Sequence, residues 1–67
     1  MIEDENKILH RAIVAWKKHC TRNGFIYDTP ANTSYIDDYN IVHLVNIRGT
    51  LAKYKFYVRA DRLKMMK

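Results

Sequence analysis

Residues 40–60 contain two runs of alternating side chains around a glycine, and this pattern constrains the fold more than any other part of the chain. Gly49-Thr50 suits a two-residue type II′ turn, because glycine at the first central position adopts a positive φ without steric cost. The cross-strand pairs predicted on one face are Ile47–Ala52, Val45–Tyr54, His43–Phe56 and Ile41–Val58. We therefore predict a β-hairpin with these residues on its core face.

The other face of the predicted hairpin combines basic, aromatic and aliphatic side chains. Its members are Val42, Leu44, Asn46, Arg48, Leu51, Lys53, Lys55, Tyr57 and Arg59. Lysine and arginine interleaved with a tyrosine form the kind of β-surface that holds phosphates and stacks bases. Alternating lysines also protect ordinary hairpins against edge-to-edge aggregation, so the pattern is not specific to nucleic acid.

Residues 5–22 have the periodicity of one amphipathic helix. The predicted apolar stripe is Leu9, Ile13, Trp16 and Cys20, flanked by Ile8 and Ala12. The predicted basic ridge on the solvent side is Lys7, Arg11, Lys18 and Arg22. Asn23-Gly24 predicts the end of the helix, with the glycine in the left-handed conformation.

Two short strands are predicted between the helix and the hairpin, at residues 25–27 and 35–36, and Pro30 limits the first to an edge or a strand end. Residues 61–67 are expected to be either a frayed end or a short helical turn. The sequence thus predicts a single α+β domain over residues 1–67, with one N-terminal amphipathic helix packed on one face of a three- to four-stranded antiparallel β-meander.

Length and cysteine content narrow the class of protein. A chain of 67 residues has room for one domain and buries only about 60% of its unfolded surface. Cys20 is the only cysteine, so no internal disulfide stabilises the domain and a reducing compartment is expected. The acidic N-terminus and short apolar segments lack the pattern of a signal peptide or a membrane span. We expect a cytoplasmic protein with no membrane partner.

The positive charge is unevenly distributed along the chain. Twelve Lys and Arg against seven Asp and Glu give a net charge of +5. Residues 7–22 hold five bases and no acid, and residues 48–67 hold seven bases and one acid, Asp61. Such a surface attracts polyanions, which predicts nucleic acid or an acidic protein as partner.

No side-chain pattern predicts catalysis, a metal or a cofactor. The histidines are scattered, and structural zinc needs ligands in recognisable pairs, which one cysteine cannot supply. Cys20 lies on the apolar stripe, which favours a buried structural role over a nucleophile. His43 is predicted on the core face. We therefore expect no enzyme activity and no cofactor.

Two functions remain. The first is a small basic binding module that docks an acidic partner such as nucleic acid through the outer face of the 40–60 hairpin. The predicted contact residues are Arg48, Lys53, Lys55, Tyr57 and Arg59, with the basic ridge of the helix as a second patch. The alternative is a protein-interaction or regulatory domain that forms a homodimer through an apolar patch of Val42, Leu44 and Tyr57.

Overall fold

The computed structural model describes residues 5–66, which form one helix and a four-stranded antiparallel sheet. The elements are α1 (Glu5–Asn23), β1 (Tyr35–Ile36), β2 (Ile41–Asn46), β3 (Gly49–Tyr57) and β4 (Arg62–Met65). The strands pair in chain order, each antiparallel to the next. The predicted α+β meander with one N-terminal helix is confirmed.

Helix α1 ends at the predicted position and buries nearly the predicted stripe. Gly24 has a φ of 68°, and the backbone N–H of Phe25 donates to the carbonyl of Cys20 at 2.9 Å, which closes the last turn. The fully buried helix residues are Ile8, Ala12 and Cys20. Leu9, Ile13 and Trp16 are partly buried beside them, so the centre of the stripe lies further toward Ile8 and Ala12 than predicted.

The face of strand β2 that packs against the helix is the opposite of the predicted one. Val42 and Leu44 are 0% exposed in the core, whereas Ile47 is fully exposed at the tip of the hairpin. Tyr54 pairs with Val42 instead of Val45, a shift of three residues. Because side chains alternate with a period of two, an odd shift moves every side chain of one strand to the other face.

The hairpin also turns earlier than predicted. The two turn residues are Ile47 and Arg48, and Gly49 follows them with a φ of 118° as the partner of Asn46. The glycine is thus needed directly after the turn, because other residues rarely adopt this φ. Leu51 is unpaired at a bulge in β3 between Thr50 and Ala52.

The new register explains which predicted core residues are misplaced. Val58 lies outside the sheet and is exposed, in the turn that follows β3. His43 lies opposite Lys53 on the face away from the helix, not opposite Phe56. In this register the imidazole lies outside the apolar core, and its Nε2 is 2.8 Å from Asp37 Oδ2.

Residues 62–65 form a fourth strand, where the sequence predicted a frayed end or a helical turn. Leu63 pairs with Phe56 and Met65 pairs with Tyr54, and both apolar side chains pack on the core. Asp61 permits the reversal into β4 with a left-handed φ of 51°. Lys67, the last residue of that predicted tail, lies outside the described residues.

Residues 25–27 are not a strand, contrary to prediction. Side chains of neighbouring elements hold the loop after them instead. The indole N–H of Trp16 donates to the Asp28 carbonyl at 2.9 Å, and the Asn46 amide donates to Asp28 Oδ1 at 2.8 Å. In the part of the chain that the structure covers, no helix has the length and apolar character that a membrane span requires.

Candidate nucleic-acid interface

The sheet has one face under α1 and one face without a covering element, which we call the open face. Val42, Leu44, Tyr54 and Phe56 point to the helix, so the alternate residues of the same strands point away from it. Following the strand pairing, the open face consists of Tyr35, Ile41, His43, Val45, Lys53, Lys55, Tyr57, Arg62 and Lys64.

Positive side chains lie next to one another on the β3–β4 side of the open face. Lys55 is paired with Lys64 across the β3–β4 ladder, and Tyr57 is paired with Arg62 one step along it. Like charges directly opposite one another in a sheet repel, which disfavours the sheet unless an anion screens them. Among the described residues, Lys53, Lys64 and Arg62 make no ion pair, whereas the Lys55 ammonium donates to the Tyr39 carbonyl at 2.8 Å.

An aromatic pair occupies the β1–β2 side of the open face. The rings of Tyr35 and His43 stack with centroids 4.6 Å apart and an interplanar angle of 13°. His43 Nε2 lies 2.8 Å from Asp37 Oδ2, which holds the imidazole in this stack. Half of the Tyr35 side chain and nearly half of Tyr57 remain exposed, so flat aromatic surface is available at two places beside the lysines.

Asp37 holds the backbone of the turn before β2 and also holds the side chain of His43. Its Oδ1 accepts the backbone N–H groups of Tyr39 at 2.8 Å and Ile41 at 3.1 Å. The hydrogen bond with His43 lowers the pKa of Asp37, and the two backbone donors act in the same direction against the opposing effect of burial. The carboxylate is therefore held ionised by these partners.

The structure divides the predicted contact residues of the hairpin among three places. Lys53, Lys55 and Tyr57 lie on the open face as predicted. Arg48 lies at the hairpin tip, with Nη1 3.8 Å from Asp28 Oδ2, and Arg59 lies in the exposed turn after β3. Neither arginine is part of the paired ladder.

The basic ridge is exposed, but it lies on the helix layer, on the far side of the sheet from the open face. Its members are Lys7, Arg11, Lys18 and Arg22. Arg11 also makes tertiary contacts: Nη1 is 2.7 Å from Asp61 Oδ1, and the guanidinium carbon is 5.7 Å from the ring centroid of Phe56. The ridge and the open face cannot hold the same short segment of a ligand.

The apolar homodimer patch predicted from Val42, Leu44 and Tyr57 does not exist as a surface. Val42 and Leu44 are completely buried between the sheet and α1 because β2 has the opposite face inward. Only Tyr57 is exposed, at 46%. The prediction of a dimer contact through the two aliphatic side chains is therefore wrong.

Sequence reasoning missed Arg62 and Lys64, which are two of the four cations of the open face. The signal was present as the alternation Arg62-Leu63-Lys64-Met65, which has the period of a strand with one apolar face. Tyr35 and His43 were also missed as a pair, because their contact depends on the β1–β2 register. Within residues 5–66, no three His, Cys, Asp or Glu side chains are grouped as metal ligands.

Comparison with known proteins found no match to this chain among family models, curated proteins or solved structures. The open face is therefore the feature from which we infer the function.

Proposed function

We propose that this protein is a small basic, non-enzymatic binding module that holds single-stranded nucleic acid across the open face. The observation that carries the proposal is the Lys55–Lys64 pair beside the Tyr57–Arg62 pair on a sheet face that no helix covers. Phosphates relieve the repulsion between the two lysines, and exposed rings give bases a stacking surface.

The same chemistry favours nucleic acid over an acidic protein. An acidic peptide would satisfy the lysines but would leave the exposed ring of Tyr57 without a flat partner. Base stacking on an aromatic side chain contributes about 1–3 kcal/mol per base and tolerates any sequence. We therefore expect little sequence preference.

The test is binding of a fluorescein-labelled oligonucleotide of about 12 nucleotides, within the site size of small single-strand binders. Fluorescence anisotropy is measured between about 50 and 200 mM salt. If four cations contact phosphates, the logarithm of the association constant falls with the logarithm of salt with a slope of about −3. Binding that does not change with salt would reject the proposal.

Two variants with the same change in net charge locate the surface. Lys53→Gln/Lys64→Gln removes two charges from the open face and is expected to lower the magnitude of the salt slope by about 1.4. Lys18→Gln/Arg22→Gln removes two charges from the basic ridge and should leave the slope close to the wild-type value. If the ridge variant lowered the salt slope and the open-face variant did not, the nucleic acid would bind to the helix instead.

A third variant separates nucleic acid from acidic protein. Tyr57→Ala keeps every charge and should weaken oligonucleotide binding by about tenfold through lost stacking. Competition with polyglutamate of equal charge is the companion measurement. If polyglutamate displaces the oligonucleotide at equal charge concentration and Tyr57→Ala has no effect, the partner is an acidic protein.

A further inference from the structure

A shallow, open cleft of about 250 Å³ lies between α1 and the β3–β4 part of the sheet, on the layer away from the open face. It is lined by Ala15, Lys18, His19, Arg22, Tyr54 and Met65. The two cations and Ala15 come from the helix, and the tyrosine and methionine come from adjacent strands.

Tyr54 is the unusual member of this cleft. The residue is 4% exposed, and its hydroxyl is the one buried side-chain polar atom in residues 5–66 without a hydrogen-bond partner. Buried hydroxyls in native proteins almost always have a partner, so an unsatisfied one calls for an explanation. Burial raises the pKa of Tyr54, which keeps the phenol protonated and able to donate at neutral pH.

Two cations, Lys18 and Arg22, line the same cleft as Tyr54. Lys18 and Arg22 are four residues apart on α1 and therefore lie on the same side of the helix. In the described part of the chain, neither side chain makes an ion pair or a hydrogen bond to a side chain. His19 is engaged differently, stacked on Trp16 with ring centroids 5.8 Å apart.

We propose that this cleft binds a small organic phosphate. Two neighbouring cations match the charge of a phosphate dianion, and the Tyr54 hydroxyl supplies a third donor to its oxygens. Ala15 and Met65 provide apolar contact for the organic group, and the unbranched Met65 side chain can move to admit it. The site is separate from the open face and does not depend on nucleic-acid binding.

The test is a titration of the ¹⁵N-labelled protein with phenyl phosphate, followed by amide chemical shifts. Saturable shifts are expected at Ala15, Lys18, Tyr54 and Met65. Inorganic phosphate should bind more weakly because it lacks the apolar group, benzoate should bind more weakly because it carries one charge, and phenol should not bind. Phenol binding as tightly as phenyl phosphate would overturn the proposal, as would the absence of saturable shifts.

Tyr54→Phe is the decisive variant because it removes only the hydroxyl. Its thermal midpoint should equal or exceed that of the wild type, since a buried unsatisfied group is lost, while the dissociation constant for phenyl phosphate should rise by about fivefold. Tyr57→Phe makes the same chemical change on the open face and should leave this constant unchanged. Equal affinity of wild type and Tyr54→Phe would overturn the proposal.

The two binding proposals fail separately. Lys18→Gln/Arg22→Gln should abolish phenyl phosphate binding without changing the salt slope for the oligonucleotide. Lys53→Gln/Lys64→Gln should lower the salt slope for the oligonucleotide and leave phenyl phosphate binding unchanged. A loss of phenyl phosphate binding in both variants would show that net charge alone attracts the phosphate, which would overturn the cleft as a specific site.

Discussion

A single carboxylate, Asp37, connects the turn before β2 with the aromatic pair of the open face. It accepts two backbone N–H groups through Oδ1 and pairs with His43 through Oδ2. The first role needs only an oxygen acceptor, whereas the second gains from the negative charge. Substitution by asparagine separates the two roles, because the amide oxygen can still accept the backbone bonds.

We expect Asp37→Asn to lower stability in a pH-dependent way. The folded pKa of Asp37 lies below the ordinary value of 3.8 because of its hydrogen bond with His43. A depressed pKa contributes stability that is present in full above the unfolded pKa and is lost as the pH falls through the folded pKa. The variant should therefore be less stable than wild type near pH 6, and the difference should shrink below about pH 4.

Urea unfolding followed by Trp16 fluorescence measures this difference at each pH. Asp38→Asn is the matched control, since Asp38 is the neighbouring exposed carboxylate. The free energy of unfolding of Asp38→Asn should match that of the wild type throughout the acid range. A deficit of Asp37→Asn that stays constant into acid would contradict the assigned role of the charge.

At the scale of elements, the register between β2 and β3 decides which side chains form the core. Both the predicted and the observed register place Tyr54 and Phe56 inward, so β3 alone does not distinguish them. They differ in β2, where the observed register buries Val42 and Leu44 and leaves His43 on the open face. Gly49 fits both, because a positive φ is needed in the predicted turn and also directly after the observed one.

Two alanine variants distinguish the registers by stability. Leu44→Ala removes a completely buried side chain and should lower the free energy of unfolding by about 2–5 kcal/mol. Ile47→Ala changes a fully exposed side chain at the turn and should change it by no more than about 0.5 kcal/mol. Chemical denaturation followed by far-ultraviolet circular dichroism measures both. The opposite ranking would support the predicted register.

At the scale of the whole molecule, one helix and one sheet bury only a small apolar area, so the folded state has a small margin of stability. A domain of 67 residues is expected to have a total stability of about 3–10 kcal/mol. Strand β4 covers one side of β3 and adds Leu63 and Met65 to the core next to Phe56 and Tyr54. Strand β4 is thus part of the folded core and also supplies two cations of the open face.

Deletion of residues 62–67 should consequently remove a large share of the stability. Loss of the two apolar side chains alone is expected to cost about 3 kcal/mol or more, and the exposed edge of β3 adds to this. We expect loss of the cooperative thermal transition in circular dichroism. Lys64→Gln alters the outward face of the same strand and should keep the transition. A deletion variant that melts like wild type would show that β4 is dispensable.

The sequence by itself determined the elements whose signals are local. The bounds of α1, its end at Gly24, the inward face of β3 and the outward position of Lys53 and Lys55 follow from helical or strand periodicity and from glycine conformation. Each of these depends on residues close together in the chain.

Only the tertiary structure decided the inward face of β2, the pairing of β4 with β3 and the resulting grouping of Lys64 and Arg62 with Lys55 and Tyr57. Period-two alternation is equally well satisfied by either face, and the choice depends on which side chains the distant helix covers. The burial of the Tyr54 hydroxyl has the same origin. Both candidate sites are formed by contacts between elements that are far apart in sequence. No local pattern encodes these contacts.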